Sequence, residues 1–263
     1  MEKEAKLVKK LRGLFEKLNF PRFLHHFGPR KFELRHHLFS LLLKEVTQMS
    51  FRRLQNVFGI LGFKVPSYSA LCKSRKRIPK WIWNKLLKIT SKFDSSVAVD
   101  GTGFSRKNPS FHYIKRIDSK NPKASAKLSM LFGVGSKSIL AINVRSKPRH
   151  DIKDVKPLLN KFPDGIKVFY GDAAYDAEWL YERCFEKGIQ TQIKPRRGNK
   201  RGFFRRKQLK NYSEEEYHKR SVVEAGFGSL KRKYGSCVKA KKFKGLETEI
   251  YCKAIAHNLG LFS

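Results

Sequence analysis

The sequence predicts an α/β fold, in which a mixed sheet is flanked by helices and preceded by a small helical domain. Apolar residues recur at helical spacing over residues 1–92. From Ser96 onward, short apolar runs alternate with amphipathic segments, and glycine-bearing or proline-bearing turns separate them. We therefore expect a helical domain over residues 1–92 and an α/β domain over residues 93–263.

The helical domain contains a pattern that is typical of a DNA-binding unit. Apolar stripes predict helices over residues 3–18 and 31–48. A short helix from Ser50, a glycine-bearing turn and a basic helix capped by Ser67 come next. Two short helices joined in this way form a helix-turn-helix outline at about 50–78. DNA reading and plain helix packing both fit this outline.

The element order of the second domain indicates its topology. The predicted elements are strands over 96–100 and 111–114, a hairpin of 126–135 and 138–144, helix 151–162, strand 167–172, helix 176–188, strand 189–194, and helices 213–234 and 247–261, the last of them amphipathic. Antiparallel strands followed by alternating helices and strands are the order of a ribonuclease-H-like mixed sheet. Right-handed crossovers then put the strand before Asp172 beside the strand that holds Asp100.

The composition indicates a polyanionic partner. The chain has 58 Lys and Arg against 22 Asp and Glu, a net charge of +36. Such a charge strains a compact protein by self-repulsion unless a partner such as nucleic acid neutralises it. The four cysteines are scattered, which argues against a zinc site or a disulfide framework. The charged N-terminus and the lack of a long apolar run predict a cytoplasmic protein with no membrane partner.

Residues 196–210 form the most basic segment of the second domain. They include eight Lys or Arg and no acid, with Phe203 and Phe204 in the middle. We expect a loop that contacts phosphates and whose aromatic rings stack on bases or wedge between them. The alternative is a solvated flexible loop. The cations expected to contact DNA are Arg196, Arg197, Lys200, Arg201, Arg205 and Arg206.

The predicted helix 213–234 carries two neighbouring stripes. Ser213 and Glu216 have the spacing of a capping box, which defines the helix start. At about 100° per residue, the four residues of the polar stripe fall within an arc of roughly 60° around the helix axis, so they share one face. The second stripe is apolar and suited to the core. The polar stripe is Tyr217, Arg220, Glu224 and Lys231, and the apolar stripe is Val223, Phe227, Leu230 and Tyr234.

The polar stripe has the spacing of a known family signature. The spacing Tyr-x2-Arg-x3-Glu-x6-Lys resembles the signature of DDE-type prokaryotic insertion-sequence transposases. Asp100, in Val-Asp-Gly-Thr-Gly, and Asp172, in Tyr-Gly-Asp-Ala-Ala-Tyr-Asp, resemble their first and second catalytic aspartates. The resemblance covers residues 94–263. Glu224 follows Asp172 by only 52 positions, which indicates a short form without the large β-rich insertion of some members.

The chemistry of phosphodiester cleavage needs such acids. Two divalent ions stabilise the charge that develops on the entering and leaving oxygens, and Mg²⁺ or Mn²⁺ prefers carboxylate ligands. We expect Asp100, Asp172 and Glu224 to be both catalytic residues and metal ligands, with Asp100 bridging the two ions. The resemblance also implies that Tyr217, Arg220 and Lys231 bind terminal DNA. Asp172 and Asp176 have a simpler alternative role as helix caps, and Arg220 and Glu224 as an exposed ion pair.

The sequence therefore predicts a prokaryotic, nucleoid-associated DNA transposase. It would bind double-stranded DNA at the terminal inverted repeats of an insertion sequence and at the target, and would perform metal-dependent hydrolysis and strand transfer. Two transposon ends imply a homodimer in the synaptic complex. One alternative is a decayed or repurposed transposase that only binds DNA. Another is a ribonuclease-H-like structure-specific nuclease, which shares the three acids but does not need the polar stripe.

Overall fold

The chain forms two compact units. In the computed structural model, the described residues are 13–15, 18–24, 30–106, 126–146, 149–198 and 201–260. One unit combines Met1–Thr90 with Lys233–Ser263, and the other is Ser91–Arg232. Most of the predicted helix 3–18 and the whole of the predicted strand 111–114 lie outside the described residues.

The first unit is helical. Its elements are α1 (Leu34–Thr47), α2 (Phe51–Ile60), α3 (Tyr68–Arg77), α4 (Lys80–Thr90), a two-residue strand β6 (Cys237–Val238) and α10 (Phe243–Gly260). Ser50 and Ser67 cap α2 and α3 through their hydroxyls, which accept hydrogen bonds from the Arg53 and Ala70 N–H groups. The C-terminal helix α10 packs against α1, α3 and α4.

Helix α10 is buried on nearly every face, so the prediction of an amphipathic helix is wrong. Many of its polar residues, including Glu249 and Lys253, are buried together with its apolar ones. The buried charges are balanced against those of α1, because Glu249 and Lys253 lie 3.6 and 3.5 Å from Lys44 and Glu45. A buried charge is tolerated when it is paired in this way. The face that we expected to be exposed to solvent is therefore covered by neighbouring helices.

The second unit is a mixed sheet flanked by helices, as predicted. Its strands are β1 (Ser96–Arg106), β2 (Ala126–Gly133), β3 (Ile139–Arg145), β4 (Val168–Gly171) and β5 (Gln190–Ile193), in the order β3-β2-β1-β4-β5. The first three strands pair antiparallel, and β4 pairs parallel with both β1 and β5. This order agrees with the predicted ribonuclease-H-like arrangement. β1 continues beyond Asp100 to Arg106, although we expected it to end at the acid.

The helices of this unit differ from prediction in three places. They are α5 (Asp151–Leu159), a 3-10 turn (Ala173–Tyr175), α6 (Glu178–Glu186), α7 (Phe203–Leu209), α8 (Glu214–His218) and α9 (Ser221–Tyr234). The predicted helix 176–188 is preceded by the 3-10 turn and starts only at Glu178. The predicted loop 196–210 contains α7. The predicted helix 213–234 is two helices, α8 and α9.

The break between α8 and α9 has a local cause. Around Arg220, backbone hydrogen bonds join residues three apart, from Arg220 N–H to Tyr217 O (3.0 Å) and from Val223 N–H to Arg220 O (3.0 Å). Such bonds tighten the chain to about three residues per turn. Because 3.6 residues per turn no longer holds there, the angles predicted between Tyr217 and Glu224 do not apply.

Candidate active site

Asp100 lies on β1, and Asp172 directly follows the neighbouring strand β4. Ala98 pairs with Tyr170 in the parallel ladder of β1 and β4, and the same register two residues further on aligns Asp100 with Asp172. Asp172 also caps the 3-10 turn, because its Oδ1 accepts a hydrogen bond from the Ala174 N–H at 2.8 Å. The capping alternative is therefore correct for one oxygen of Asp172, and it holds this carboxylate at the end of β4.

The carboxylate of Asp100 is partly withdrawn from solvent. Its side chain is 21% exposed, and its Oδ1 accepts a hydrogen bond from the Gly101 N–H at 2.7 Å. Burial raises the pKa of Asp100, and the negative charge of Asp172 also raises it. A carboxylate that is disfavoured both by burial and by a neighbouring carboxylate is stabilised by a nearby cation.

Arg220 supplies such a cation. Its Nη1 lies 3.7 Å from Asp100 Oδ2, and its Nη2 donates a hydrogen bond to Glu224 Oε1 at 2.7 Å. The guanidinium is mostly buried, whereas Glu224 is 57% exposed. Arg220 therefore joins the first and third predicted acids through one positive group.

Helix α9 lies against the sheet face to which Asp100 points. Asp100 pairs across the ladder with Met130, so the two side chains share a face. A Cβ on Gly226 would lie 2.8 Å from the Phe132 ring and 3.2 Å from Met130 Cε. Glycine at this position allows the helix to approach the strands closely. The apolar stripe of α9 is buried as predicted, which sets the helix orientation and the position of Glu224.

Tyr217 and Lys231 both contact other protein groups. The Tyr217 ring is only 9% exposed, and the cationic groups of Lys194 and Arg220 lie over it at 5.4 and 5.8 Å from the centroid. Lys231 Nζ donates a hydrogen bond to Thr102 Oγ1 at 2.6 Å. Burial lowers the pKa of Lys231. The Tyr217 ring is thus largely covered, so open stacking on a base does not fit this arrangement.

Two acids of α5, Asp151 and Asp154, lie on the opposite side of β1 from α9. A Cβ on Gly101 would lie 2.8 Å from Asp151 Oδ1, so this carboxylate approaches the backbone next to Asp100. Lys127 Nζ bridges Asp151 and Asp154, at 2.6 and 3.0 Å. The sequence signal was Gly101 itself, because only a residue without a side chain leaves room for Asp151.

The comparison with known families decides the class of this protein. The family model of the transposase DDE domain matches residues 91–259. The chain belongs to this family. The family implies an enzyme of the transposase and nuclease class. A comparison with curated proteins gave no match.

DDE transposases generally use divalent metals. Within the described ranges, no three His, Cys, Asp or Glu side chains are grouped closely enough to hold a metal ion. At this site Glu224 pairs with Arg220. None of the helices in the described part of the chain is long and apolar enough to cross a membrane.

The basic segment 196–210 of this DDE domain is partly structural, which corrects the predicted DNA contact of Arg205. Arg205 is 2% exposed and forms a bidentate pair with Asp176 at 2.7 and 2.6 Å, so it is not available to DNA. Arg196 Nε donates to Ala173 O at 2.7 Å and thereby ties the segment to the 3-10 turn. Arg197, Arg201 and Arg206 are exposed, and Lys200 lies outside the described residues.

Proposed function

We propose that this chain is a transposase that binds the terminal inverted repeats of an insertion sequence and catalyses metal-dependent hydrolysis and strand transfer. The observation that carries the proposal is that Asp100 on β1 and Asp172 at the end of the adjacent strand β4 come near each other, with Arg220 joining Asp100 to Glu224. The proposed catalytic residues are Asp100, Asp172 and Glu224. No covalent intermediate between protein and DNA is needed.

The donor set suits divalent cations. Asp100 and Asp172 are neighbouring carboxylates, one of them partly buried, and a positive group already lies beside Asp100. Hard cations such as Mg²⁺ and Mn²⁺ prefer carboxylate oxygens. We propose that Asp100, Asp172 and Glu224 would together hold two divalent ions. Bound ions supply charge stabilisation at the entering and leaving oxygens of the phosphodiester.

The polar stripe is proposed to bind the DNA end. Arg220 now lies beside Asp100 and pairs with Glu224. A phosphate beside the scissile bond that drew this guanidinium away would free Glu224 to hold a metal ion. Lys231, which donates a hydrogen bond to Thr102 two residues after Asp100, is proposed to bind a phosphate near the same scissile bond. We propose that Tyr217 acts in the DNA-binding group by orienting Arg220 against its ring. The Tyr-Arg-Glu-Lys spacing and the short form favour a prokaryotic insertion-sequence enzyme acting at the nucleoid.

The helical region 1–92 is proposed to bind double-stranded DNA through α2 and α3, the helix pair within 50–78. Arg52 lies over the ring of Tyr68 at 4.7 Å, which links the two helices, and the last turn of α3 carries Arg75, Lys76 and Arg77. Because two ends must be held together, we propose that the protein acts as a homodimer in the synaptic complex.

The substitution Asp100→Asn tests the proposal. It should abolish Mg²⁺- or Mn²⁺-dependent cleavage of terminal-repeat DNA and leave DNA affinity nearly unchanged, because Asp100 acts on metal and not on phosphate. Asp164→Asn is the matched control, since it makes the same charge change at an exposed aspartate. Cleavage and filter binding are measured on both variants. Cleavage by Asp100→Asn at the wild-type rate would remove Asp100 from the site, and Asp100-dependent cleavage of branched DNA without repeats would favour the nuclease.

A further inference from the structure

Lys194 is a half-exposed cation next to the candidate site. It directly follows β5, just as Asp172 directly follows β4. Gly171 pairs with Ile193 in the parallel ladder of these two strands, so Asp172 and Lys194 leave the sheet from paired positions. Lys194 therefore brings a positive charge to the same edge of the sheet as the second proposed catalytic acid.

The side chain of Lys194 extends to α8, where the polar stripe begins. Its Nζ donates a hydrogen bond to Glu214 Oε1 at 3.2 Å and lies 5.4 Å from the centroid of the Tyr217 ring. The guanidinium carbon of Arg220 lies 5.8 Å from the same centroid, and Arg220 Nη1 lies 3.7 Å from Asp100 Oδ2. Lys194 and Arg220 therefore share one aromatic ring, and Arg220 links this ring to the first acid.

The ion pair between Lys194 and Glu214 leaves the ammonium accessible to a ligand. The two side chains are 52% and 53% exposed, and exposed ion pairs contribute little to stability because water solvates both charges. Tyr212 Oη also donates a hydrogen bond to Glu214 Oε2, at 2.6 Å. A phosphate can therefore replace Glu214 as the acceptor for Lys194, since Glu214 keeps the tyrosine as a donor.

We propose that Lys194 is a further DNA-binding residue, whose ammonium contacts a backbone phosphate of the transposon end beside the scissile bond, and that Glu214 competes with this phosphate. This inference rests on the proposed function, because it requires a DNA end at Asp100 and Asp172. Arg220 and Lys231 contact residues of β1, and Lys194 extends this set of cations to β5. Phosphate contacts fix the position and orientation of DNA without reading its sequence.

Arg183 and Glu186 of α6 form a matched control pair. Their side chains are also 52% and 53% exposed, and Arg183 Nη1 lies 3.4 Å from Glu186 Oε2. Neutralising the cation or the acid makes the same change of charge in either pair. Differences between the two pairs therefore report contact with DNA and not long-range attraction.

The experiment measures binding of the full-length protein to duplex DNA that carries the terminal repeat, over a range of salt concentrations. Lys194→Gln should bind about 10-fold more weakly than wild type, the loss expected for one hydrogen bond to a charged group. It should also flatten the slope of log K against log[salt] by about 0.9. Lys194→Arg should restore the slope, and Arg183→Gln should keep it.

The acid of the pair should show the opposite effect. Glu214→Gln should bind this DNA about two- to fivefold more tightly than Glu186→Gln does, because the competition of an exposed ion pair is removed. The double variant Lys194→Gln/Glu214→Gln should lose this gain. Thermal unfolding of each variant and Mn²⁺-dependent cleavage by wild type and Asp100→Asn are measured on the same preparations.

The outcomes separate this inference from the proposed function. If Lys194→Gln keeps the affinity and slope of Arg183→Gln while wild type shows Asp100-dependent cleavage, the role of Lys194 is overturned and the proposed function stands. An equal loss of Tm in Lys194→Gln and Glu214→Gln, with DNA binding as in the control pair, would show a structural ion pair and would also overturn it. If wild type shows no Asp100-dependent cleavage, both proposals are overturned.

Discussion

Arg205 and Asp176 form a buried bidentate ion pair. Nε and Nη2 of Arg205 donate to the two carboxylate oxygens of Asp176, and the two side chains are 2% and 0% exposed. The planar fork of arginine matches a carboxylate in this way. The pair joins α7 to the loop before α6, so a residue within a strongly basic segment acts as part of the core.

The substitution Arg205→Gln should lower the free energy of unfolding by about 3–5 kcal/mol, because it leaves the Asp176 charge buried without its cation. The Tyr181 hydroxyl and the Arg196 N–H remain as donors to Asp176, but neither carries the positive charge that is lost. Urea unfolding of the purified protein measures the change.

The neighbouring change Arg206→Gln is the control, because Arg206 is exposed and the loss of charge is the same. It should alter the free energy of unfolding by less than about 0.5 kcal/mol. If Arg205→Gln were as stable as wild type and instead bound DNA more weakly than Arg206→Gln does, Arg205 would be a DNA contact after all.

At the scale of residues, the sequence predicted those parts of the site that the chain order determines. Asp100 and Asp172 follow apolar runs that become adjacent parallel strands, so their proximity could be foreseen. The approach of Asp151 to Gly101 and the burial of Tyr175 could not, because they depend on how α5 and the 3-10 turn pack against β1. Side-chain packing between distant segments leaves no periodic signal in the sequence.

At the scale of elements, the spacing of apolar residues correctly predicted which helix faces are buried. It did not predict where a helix is interrupted. The apolar stripe of α9 is buried as expected, including Val223 and Leu230 at 0% exposure. The break before α9 carries no proline or glycine, so no sequence signal marks it. Tertiary contacts accompany it: Tyr170 Oη donates to Glu216 Oε2 at 2.9 Å, which ties α8 to β4. The helix α7 was missed because its charges were taken as a sign of a loop.

The substitution Lys231→Met tests whether the polar side of α9 contacts DNA. It removes the ammonium that bonds to Thr102 and lies over the Phe104 ring, but it keeps an apolar side chain of similar length, so the fold should be intact. If the ammonium contacts a phosphate, cleavage of terminal-repeat DNA should fall by about 10- to 100-fold, the value of one hydrogen bond to a charged group. Cleavage of paired ends and thermal unfolding are measured together.

Two variants on the same helix provide controls for Lys231→Met. Phe227→Ala should lose about 3–5 kcal/mol of stability, because Phe227 is 6% exposed and packs in the core. Lys233→Met makes the same chemical change at an exposed lysine and should cleave normally. A Lys231→Met variant that cleaves as Lys233→Met does would make the contact with Thr102 purely structural.

At the scale of the whole molecule, the excess of cations is concentrated on surfaces, while buried charges are balanced. The four buried charges of Lys44, Glu45, Glu249 and Lys253 sum to zero within the helical unit. The net charge of +36 is therefore carried by other residues. Composition could predict a polyanionic partner for this reason, but it could not predict which cations are paired inside.

The exposed cations of the segment 196–210 provide the last prediction. Replacing Arg197, Arg201, Arg206 and Lys207 by Gln should flatten the slope of log K against log[salt] by about 3–4 units, since each phosphate contact on duplex DNA contributes about 0.9. Arg205 is left unchanged because it is buried in its pair with Asp176. Phe203 is 62% exposed beside these cations, so its ring remains available to stack in the variant. Binding to terminal-repeat DNA is measured over a range of salt concentrations.

The control for this variant replaces Lys153, Lys156, Lys167 and Lys187, four exposed lysines of the same unit, by Gln. Both variants lose the same four charges, so long-range attraction to DNA falls equally in the two. Counterion release differs, because it requires a cation in contact with a phosphate. The slope should therefore change only in the first variant. Equal slopes in both variants would assign the segment to the solvated surface and leave DNA binding to the helical region and the polar side of α9.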